Sequence, residues 1–242
     1  MDLMKTNTEN LTNLWATVGQ KTNTLHTTNN INYCAVNYSE WPNRLWFTNN
    51  VNAPMIERAR EILLQSKVPI KVSTWHSTDL DDELFAQNNF VQSSEQAGMT
   101  VQLTTEFESD PGIQFRKVTT QKQATLWAEL FRHSFGYTIS RDVILQSSAV
   151  VNYFACYCNN SPVGVCLLFH NNSQVIGIHS MGIIPEMRRR RFAEDILRKI
   201  LTNSKRLGFS YAVLQASKMG KPLYSKYGFT EEFTMKNYQL KD

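Results

Sequence analysis

Four consecutive arginines, Arg188-Arg189-Arg190-Arg191, stand between an apolar run, Ile176-Gly177-Ile178-His179-Ser180-Met181-Gly182-Ile183-Ile184, and an amphipathic stretch that opens with Phe192-Ala193. That order predicts a strand, a turn at Pro185 and a helix whose first residues carry positive charge. The first turn of a helix leaves its backbone N–H groups without intrahelical partners and holds the positive end of the helix dipole. It can therefore bind an anion such as a diphosphate largely through main chain, and arginines beside it add charge-assisted hydrogen bonds. On the strand, Gly177, His179, Met181 and Ile183 alternate onto one face, and His179 brings a group that can accept a proton near pH 7. A second stretch with chemical content runs from Ala216 to Phe229 and contains Tyr224. A phenol with an ordinary pKa of about 10 stays protonated at neutral pH and can donate that proton.

The elements that must carry these groups follow from pattern and punctuation. After residue 112 the sequence predicts a strand at 113–118, helices at 120–135 and 140–148, three strands between 150 and 184, and a helix over 189–207. In that last helix Ile196, Leu197, Ile200 and Leu201 share one face, leaving Glu194, Asp195, Arg198 and Lys199 toward water, and Gly208 ends it. A short strand from Tyr211, a helix ending at Tyr227-Gly228 and a strand through Tyr238 to Leu240 complete the half. Just before it, Glu106-Phe107-Glu108-Ser109-Asp110-Pro111-Gly112 breaks the periodicity with acids, proline and glycine and reads as a linker. The first half repeats the tail of the plan: a strand at Trp46-Phe47, a helix at 54–66, a strand at 70–74, the helical Leu84-Phe85-Ala86-Gln87-Asn88-Asn89-Phe90 and a strand at 99–103. Its seven-residue segment parallels Leu223-Tyr224-Ser225-Lys226-Tyr227-Gly228-Phe229.

The order β-α-α-β-β-β-α-β-α-β over 113–242 resembles the GNAT N-acetyltransferase superfamily. Its acyl-CoA motif is Arg or Gln, two residues, Gly, one residue, then Gly or Ala. Arg188 and Ala193 match the outer positions, whereas Arg191 replaces the central glycine. Ser217, Gly220, Leu223, Tyr224, Gly228 and Phe229 match a second motif. The resemblance implies an α/β (α+β) acyl-CoA N-acyltransferase fold, a mixed central sheet flanked by helices, preceded by a smaller GNAT-like half without a coenzyme motif; the expected domains are 1–110 and 111–242. It implies acetyl-CoA as co-substrate, with Met181, Gly182, Ile183, the run Arg188, Arg189, Arg190, Arg191, Phe192, Ala193, and Ser217 and Gly220 binding it. Tyr224 would protonate the departing thiolate, and His179 matches the place of a histidine in arylalkylamine acetyltransferases; the glutamate that many members carry at the place of Gly177 is absent. The acceptor, a small-molecule or peptide amine, would meet Phe135 and Tyr137, while Trp127 and Phe131, one helical turn apart, read as core.

Composition bounds the alternatives. The 242 residues carry 42% hydrophobic and 19% charged residues and a net charge of +4, which is ordinary for a soluble globular protein and far from the footprint of a dedicated nucleic-acid binder. Glu194 and Asp195 next to the arginines, and the lack of aromatics interleaved with them, also argue against a nucleic-acid contact. With no long apolar span and no apolar stretch at Met1-Asp2-Leu3-Met4-Lys5-Thr6, a cytoplasmic protein is expected. Cys34, Cys156, Cys158 and Cys166 show no metal-ligand spacing and read as reduced thiols. Monomer and homodimer both stay open, as does a second function class, a non-catalytic acyl-CoA sensor or scaffold.

Overall fold

Residues 2–75 and 79–241 are described by the structure, a computed structural model. Along the first half run α1 (Leu3–Lys21), β1 (Leu25–Thr28), β2 (Ile31–Cys34), β3 (Arg44–Phe47), α2 (Ala53–Gln65), β4 (Lys71–Thr74), α3 (Asp79–Gln87) and β5 (Phe90–Gln102). The second half holds β6 (Ile113–Lys117), α4 (Gln121–Phe135), α5 (Arg141–Ser147), β7 (Asn152–Cys158), β8 (Ser161–Phe169) and β9 (Val175–Ile183). A single 3-10 turn, Pro185–Met187, precedes α6 (Phe192–Arg206), β10 (Tyr211–Ala216), α7 (Lys221–Lys226) and β11 (Thr230–Leu240).

Local chemistry sets these boundaries. Thr120 and Gln123 close a capping box at the start of α4, and Gly136 ends that helix in the left-handed region at φ +78°. Gly208, at φ +90°, follows α6 in the same way. The expected helix over 189–207 begins three residues later than its charge pattern predicts, because Pro185–Met187 and Arg188 turn the chain first. Its acids and bases are also less open to water than expected. Glu194 accepts from Arg198, Lys226 and Tyr227, and Lys199 donates to the Ile113 carbonyl.

The sheet order is β1-β2-β3-β4-β11-β5-β10-β9-β8-β7-β6. Each half builds a parallel pair, β3 with β4 and β9 with β10, and beside each pair lies an antiparallel strand from the other half. β11 runs along β4, and β5 runs along β10. The two exchanged strands pair with each other over Thr230↔Thr100 to Leu240↔Phe90. The halves are therefore interlocked through backbone hydrogen bonds in one continuous sheet, with residues 103–112, which contain the expected linker at 106–112, joining β5 to β6.

Sequence periodicity misses α1, β1 and β2. Leu11, Leu14, Trp15 and Val18 recur at helical spacing and are buried, so a signal for α1 existed. It is diluted by Asn7, Thr8 and Asn10, which are also buried, with Asn7 and Asn10 bonded to strand carbonyls of the sheet. Leu11, Leu14, Trp15 and Val18 join one core cluster with Trp127 and Phe131, both at 0% exposure. A second cluster packs α6, through Ile196, Leu197, Ile200 and Leu201, onto β9 and β10. The third fills the first half around Ile56, Val72 and Phe85. Among the described residues no helix is long and apolar enough to cross a membrane.

Candidate active site

β9 and β10 pair only through Tyr211↔Val175, Ala212↔Ile176 and Val213↔Gly177. Beyond Gly177 they diverge: β10 continues on β5 alone, while β9 continues on β8 with a register shift between Val165 and Leu167. Ser180, opposite that shift, has φ +48°. A bulge of this kind bends its strand and increases its twist, so one backbone edge of β9 from Ile178 to Ile183 faces a gap instead of a neighbouring strand. Ile184 donates its N–H to the Val163 carbonyl on the β8 side, and the alternation of an antiparallel ladder turns the backbone of Ile183 outward. Consistent with that, the Ile183 carbonyl accepts from Arg188 Nε at 3.2 Å.

At the end of β9 the arginine run behaves unevenly. The exposed Arg188 guanidinium joins the Ile183 carbonyl to the Ser134 carbonyl (2.9 Å) at the end of α4. Arg190 lies against Met187 and over the Phe192 ring, 5.4 Å from its centroid. Arg189 and Arg191 are exposed and both have positive φ, +60° and +65°. Arg191, the N-cap of α6 at ψ 1°, thus adopts the left-handed conformation for which the family motif uses glycine. A non-glycine residue there costs about 1–2 kcal/mol, a strain typical of functional loops. The first capping bonds of α6 are Glu194 N–H and Asp195 N–H to the Arg191 carbonyl. The N–H groups of Arg189 to Ala193 therefore have no partner among the described residues, and successive free N–H groups around a left-handed residue form an anion-binding concavity.

Tyr224 stands across the gap on α7. Its ring is half-buried, packs edge-on to Phe229 at 5.7 Å and joins the cluster that includes Ile178, Met181 and Ile183. A Cβ on Gly220 would lie 3.2 Å from the ring, so the glycine leaves the ring its place; Gly220 in turn donates its N–H to Ser217 Oγ at 3.2 Å. Burial, reinforced by nearby Cys166, pushes the Tyr224 pKa up to about 12. No described residue hydrogen-bonds its hydroxyl. Ser217 and Gly220 shape the start of α7 and the seat of Tyr224, while Met181, Ile183 and Phe192 are partly buried along the gap.

His179 is 8% exposed, beneath α1. Its Nε2 lies 3.0 Å from Asn10 Oδ1, and Asn10 Nδ2 donates to the Phe169 carbonyl, so the imidazole donates from Nε2 and carries its lone pair on Nδ1, with the Gln215 side chain also beside the ring. Burial lowers the His179 pKa to about 4, against a smaller opposing effect of the Gln215 side chain. A Cβ on Gly177 would collide with both Asn10 and His179, which explains a glycine there. Asn10 and Asn7, which bonds Met99, Leu214 and Gln215, are the site-lining residues that sequence reasoning missed.

Phe135 packs over Gly182, where a Cβ would lie 2.5 Å from its ring. It stacks on Phe131 at 4.6 Å, and Tyr137 meets Phe131 edge-on at 4.9 Å. The first half closes over this corner. Glu40 Oε2 accepts the Thr138 N–H at 2.6 Å, Glu40 N–H donates to the Thr138 carbonyl, and Ser39 Oγ accepts the Ser140 N–H. Met181, Ile183, Arg188 to Ala193 and Tyr224 thus gather at one gap, Phe135 and Tyr137 border it through Gly182, and His179 lies on the side covered by α1.

Residues 121–229 match the profile described as the Acetyltransferase (GNAT) family. Among solved structures, a GCN5-related N-acetyltransferase from Kribbella flavida superposes with TM-score 0.67 at 10% identity, over 89% of this chain and 88% of that one. A GCN5-related N-acetyltransferase from Sphaerobacter thermophilus gives TM-score 0.60 at 15% identity, over 87% and 76%. For a putative acetyltransferase of the GNAT family from Novosphingobium aromaticivorans the values are 0.57 and 12%, over 93% and 94%. These likenesses establish the fold across both halves. No curated protein matches the sequence.

Proposed function

We propose that this chain, a GNAT-family acetyltransferase through residues 121–229, moves an acetyl group from acetyl-CoA to the amine of a small molecule or peptide by direct attack. The observation that carries the reading is the gap between β9 and β10, which leads into five free N–H groups at α6 and faces the unpartnered hydroxyl of Tyr224. These residues fit a thioester carried on a diphosphate. In this reading the backbone of Arg189 to Ala193, with the exposed Arg189 and Arg191 side chains, holds the diphosphate, and the free edge of β9 aligns the arm that bears the acyl group. Arg188 fixes the end of β9 against α4 instead of binding phosphate directly. Residues 1–110 are a GNAT-like half whose own site is closed, and 111–242 form the catalytic half.

The chemistry assigned to the side chains balances simply. A carbon–nitrogen bond forms to the amine, the carbon–sulfur bond breaks, and the amine loses one proton while the sulfur gains one. The outward Ile183 N–H donates to the oxygen that becomes negative as the amine adds. Tyr224 donates its proton to the leaving sulfur and recovers one from solvent. His179, neutral at working pH, offers Nδ1 to the amine proton; with a pKa of about 4 it passes that proton on to water and adds no ionisation near pH 6.5 to the rate profile. Burial of His179 under α1 is the observation that favours the second reading, a non-catalytic acyl-CoA sensor.

A thermal melt with and without acetyl-CoA tests the coenzyme site. Ligand at about 100 times its dissociation constant adds about 2.7 kcal/mol to the folded state, which raises Tm by about 5–10 °C in a chain of this size. A shift that ATP does not reproduce is expected; no shift overturns the reading. Release of free thiol with a panel of amines then separates the enzyme from the sensor.

A further inference from the structure

Beside Tyr137, two cations stand on neighbouring strands with few acceptors for their hydrogen bonds. Arg44 opens β3 and Lys71 opens β4, and the two are cross-strand partners in the parallel ladder. Like charges placed directly opposite each other destabilise a sheet, and neither cation forms an ion pair with any described residue. The partly buried Arg44 guanidinium makes one hydrogen bond, from Nη1 to the carbonyl of its own neighbour Asn43 at 3.0 Å. Half-buried Tyr137 has no hydrogen-bond partner for its hydroxyl among the described residues, although its ring is fixed between Phe131 and Phe135. Glu40 is the carboxylate at this corner, and its Oε2 already accepts the Thr138 N–H. Among the described residues, two cations against one carboxylate leave an excess of one positive charge. Burial holds the pKa values of Arg44 and Lys71 below their ordinary positions, and the Tyr137 pKa is raised chiefly by burial.

We infer that Arg44, Lys71 and the Tyr137 hydroxyl form a subsite for a carboxylate carried by the acceptor amine, so that the acceptor is an amino-acid-like or peptide C-terminal molecule. The inference deepens the acetyltransferase reading and rests on it for the identity of the second substrate. Three features favour a carboxylate. Among the described residues the local excess is a single charge, the planar guanidinium fork matches the two oxygens of a carboxylate, and the site lies one aromatic side chain, Phe135, away from Gly182 on β9. Leaving such donors unpaired is costly, and an anion there also relieves the Arg44–Lys71 repulsion. The first half of the chain would thus supply the specificity of a reaction carried out by the second.

Binding of sodium 3-phenylpropanoate and of its uncharged amide to the full chain, measured calorimetrically, tests the subsite without requiring turnover. The acid is expected to bind at least about tenfold more tightly than the amide, a difference of ~1.4 kcal/mol. Arg44→Gln should abolish that preference, and Arg44→Lys should restore it in part. The acetyl-CoA melt shift should be unchanged in both variants, which separates failure of this subsite from failure of the coenzyme site. Should Arg44→Gln not fold, Lys71→Gln and Tyr137→Phe each provide the same comparison. Equal binding of acid and amide, binding of neither, or a preference that survives these substitutions overturns the proposal. Inorganic phosphate binding more tightly than the acid also overturns it, in favour of a phosphorylated ligand.

Discussion

The segment β3–α2–β4 and the segment β9–α6–β10 have the same order and the same parallel pairing, yet only the second keeps an opening. β3 and β4 pair at Arg44↔Lys71, Leu45↔Val72 and Trp46↔Ser73, which uses nearly all of their four-residue lengths, whereas β9 keeps six residues beyond its last pair with β10. At α2 the Asn52 side chain caps Met55 N–H and Pro54 has no N–H to offer. At α6 no side chain caps the helix. On the following helices, Phe85 is fully buried and stacks on Tyr238 at 4.1 Å, while Tyr224 keeps a free hydroxyl at a half-exposed position. Even α1 treats them differently, setting Trp15 against Trp46 at 5.5 Å but Asn10 against His179. Closing the gap and capping the helix remove the opening without changing the topology.

Exchanging features between the halves breaks or sharpens this contrast. The largest effect is expected at Tyr224: Tyr224→Phe, which gives the second half the ring of the first, should lower turnover by about 10²- to 10⁴-fold with coenzyme affinity nearly intact. The reciprocal Phe85→Tyr should create no activity and cost about 1–3 kcal/mol for a buried hydroxyl, read as a lower Tm.

Next comes the polar contact of α1. An unfolded His179 takes up its proton near pH 6.5, but in the fold it does so only near 4. The unfolded chain therefore binds more protons in that window, and stability should fall by about 3 kcal/mol as pH drops from 6.5 to 4. Denaturant titrations across this range should show His179→Asn losing much of the decline, and an unaltered decline would remove His179 as its source.

Arg188→Ala, which frees the end of β9 from α4, should weaken coenzyme binding about tenfold before it slows saturated turnover, in line with loss of charged hydrogen bonds. The reverse order of effects would reassign Arg188 to the chemistry. Smallest is Arg191→Gly, which restores the family residue at a left-handed position. It should stabilise the fold by up to about 1–2 kcal/mol and retain coenzyme binding; a drop in Tm would show that the arginine side chain contributes more than the strain costs.

Much of this molecule was legible in its sequence because the relevant signals are local. The 3.6-residue period of α6 through Leu197 and Leu201, the glycine that ends it, the capping box of α4 and the arginines before Phe192 each need only a few neighbouring residues to be read. The place of Tyr224 was legible as well, through the motif around it. Its free hydroxyl was not, since a partner could have come from any element. Nor was the direction of Arg188, whose acceptors are the carbonyls of Ile183 and Ser134, the latter 54 residues away in the chain.

Sequence alone determined the secondary elements of the second half, the likeness of residues 121–229 to the Acetyltransferase (GNAT) family, and the presence of positive charge where a helix begins. Tertiary structure decided the rest: the exchange of β5 and β11 between halves, the burial of His179 beneath α1, and the placing of Arg44 beside both Lys71 and Tyr137. Periodicity and capping report how a residue relates to its neighbours in the chain. Strand exchange, proton affinity and unpaired charge depend on groups brought together from distant positions, and only the folded backbone fixes which groups those are.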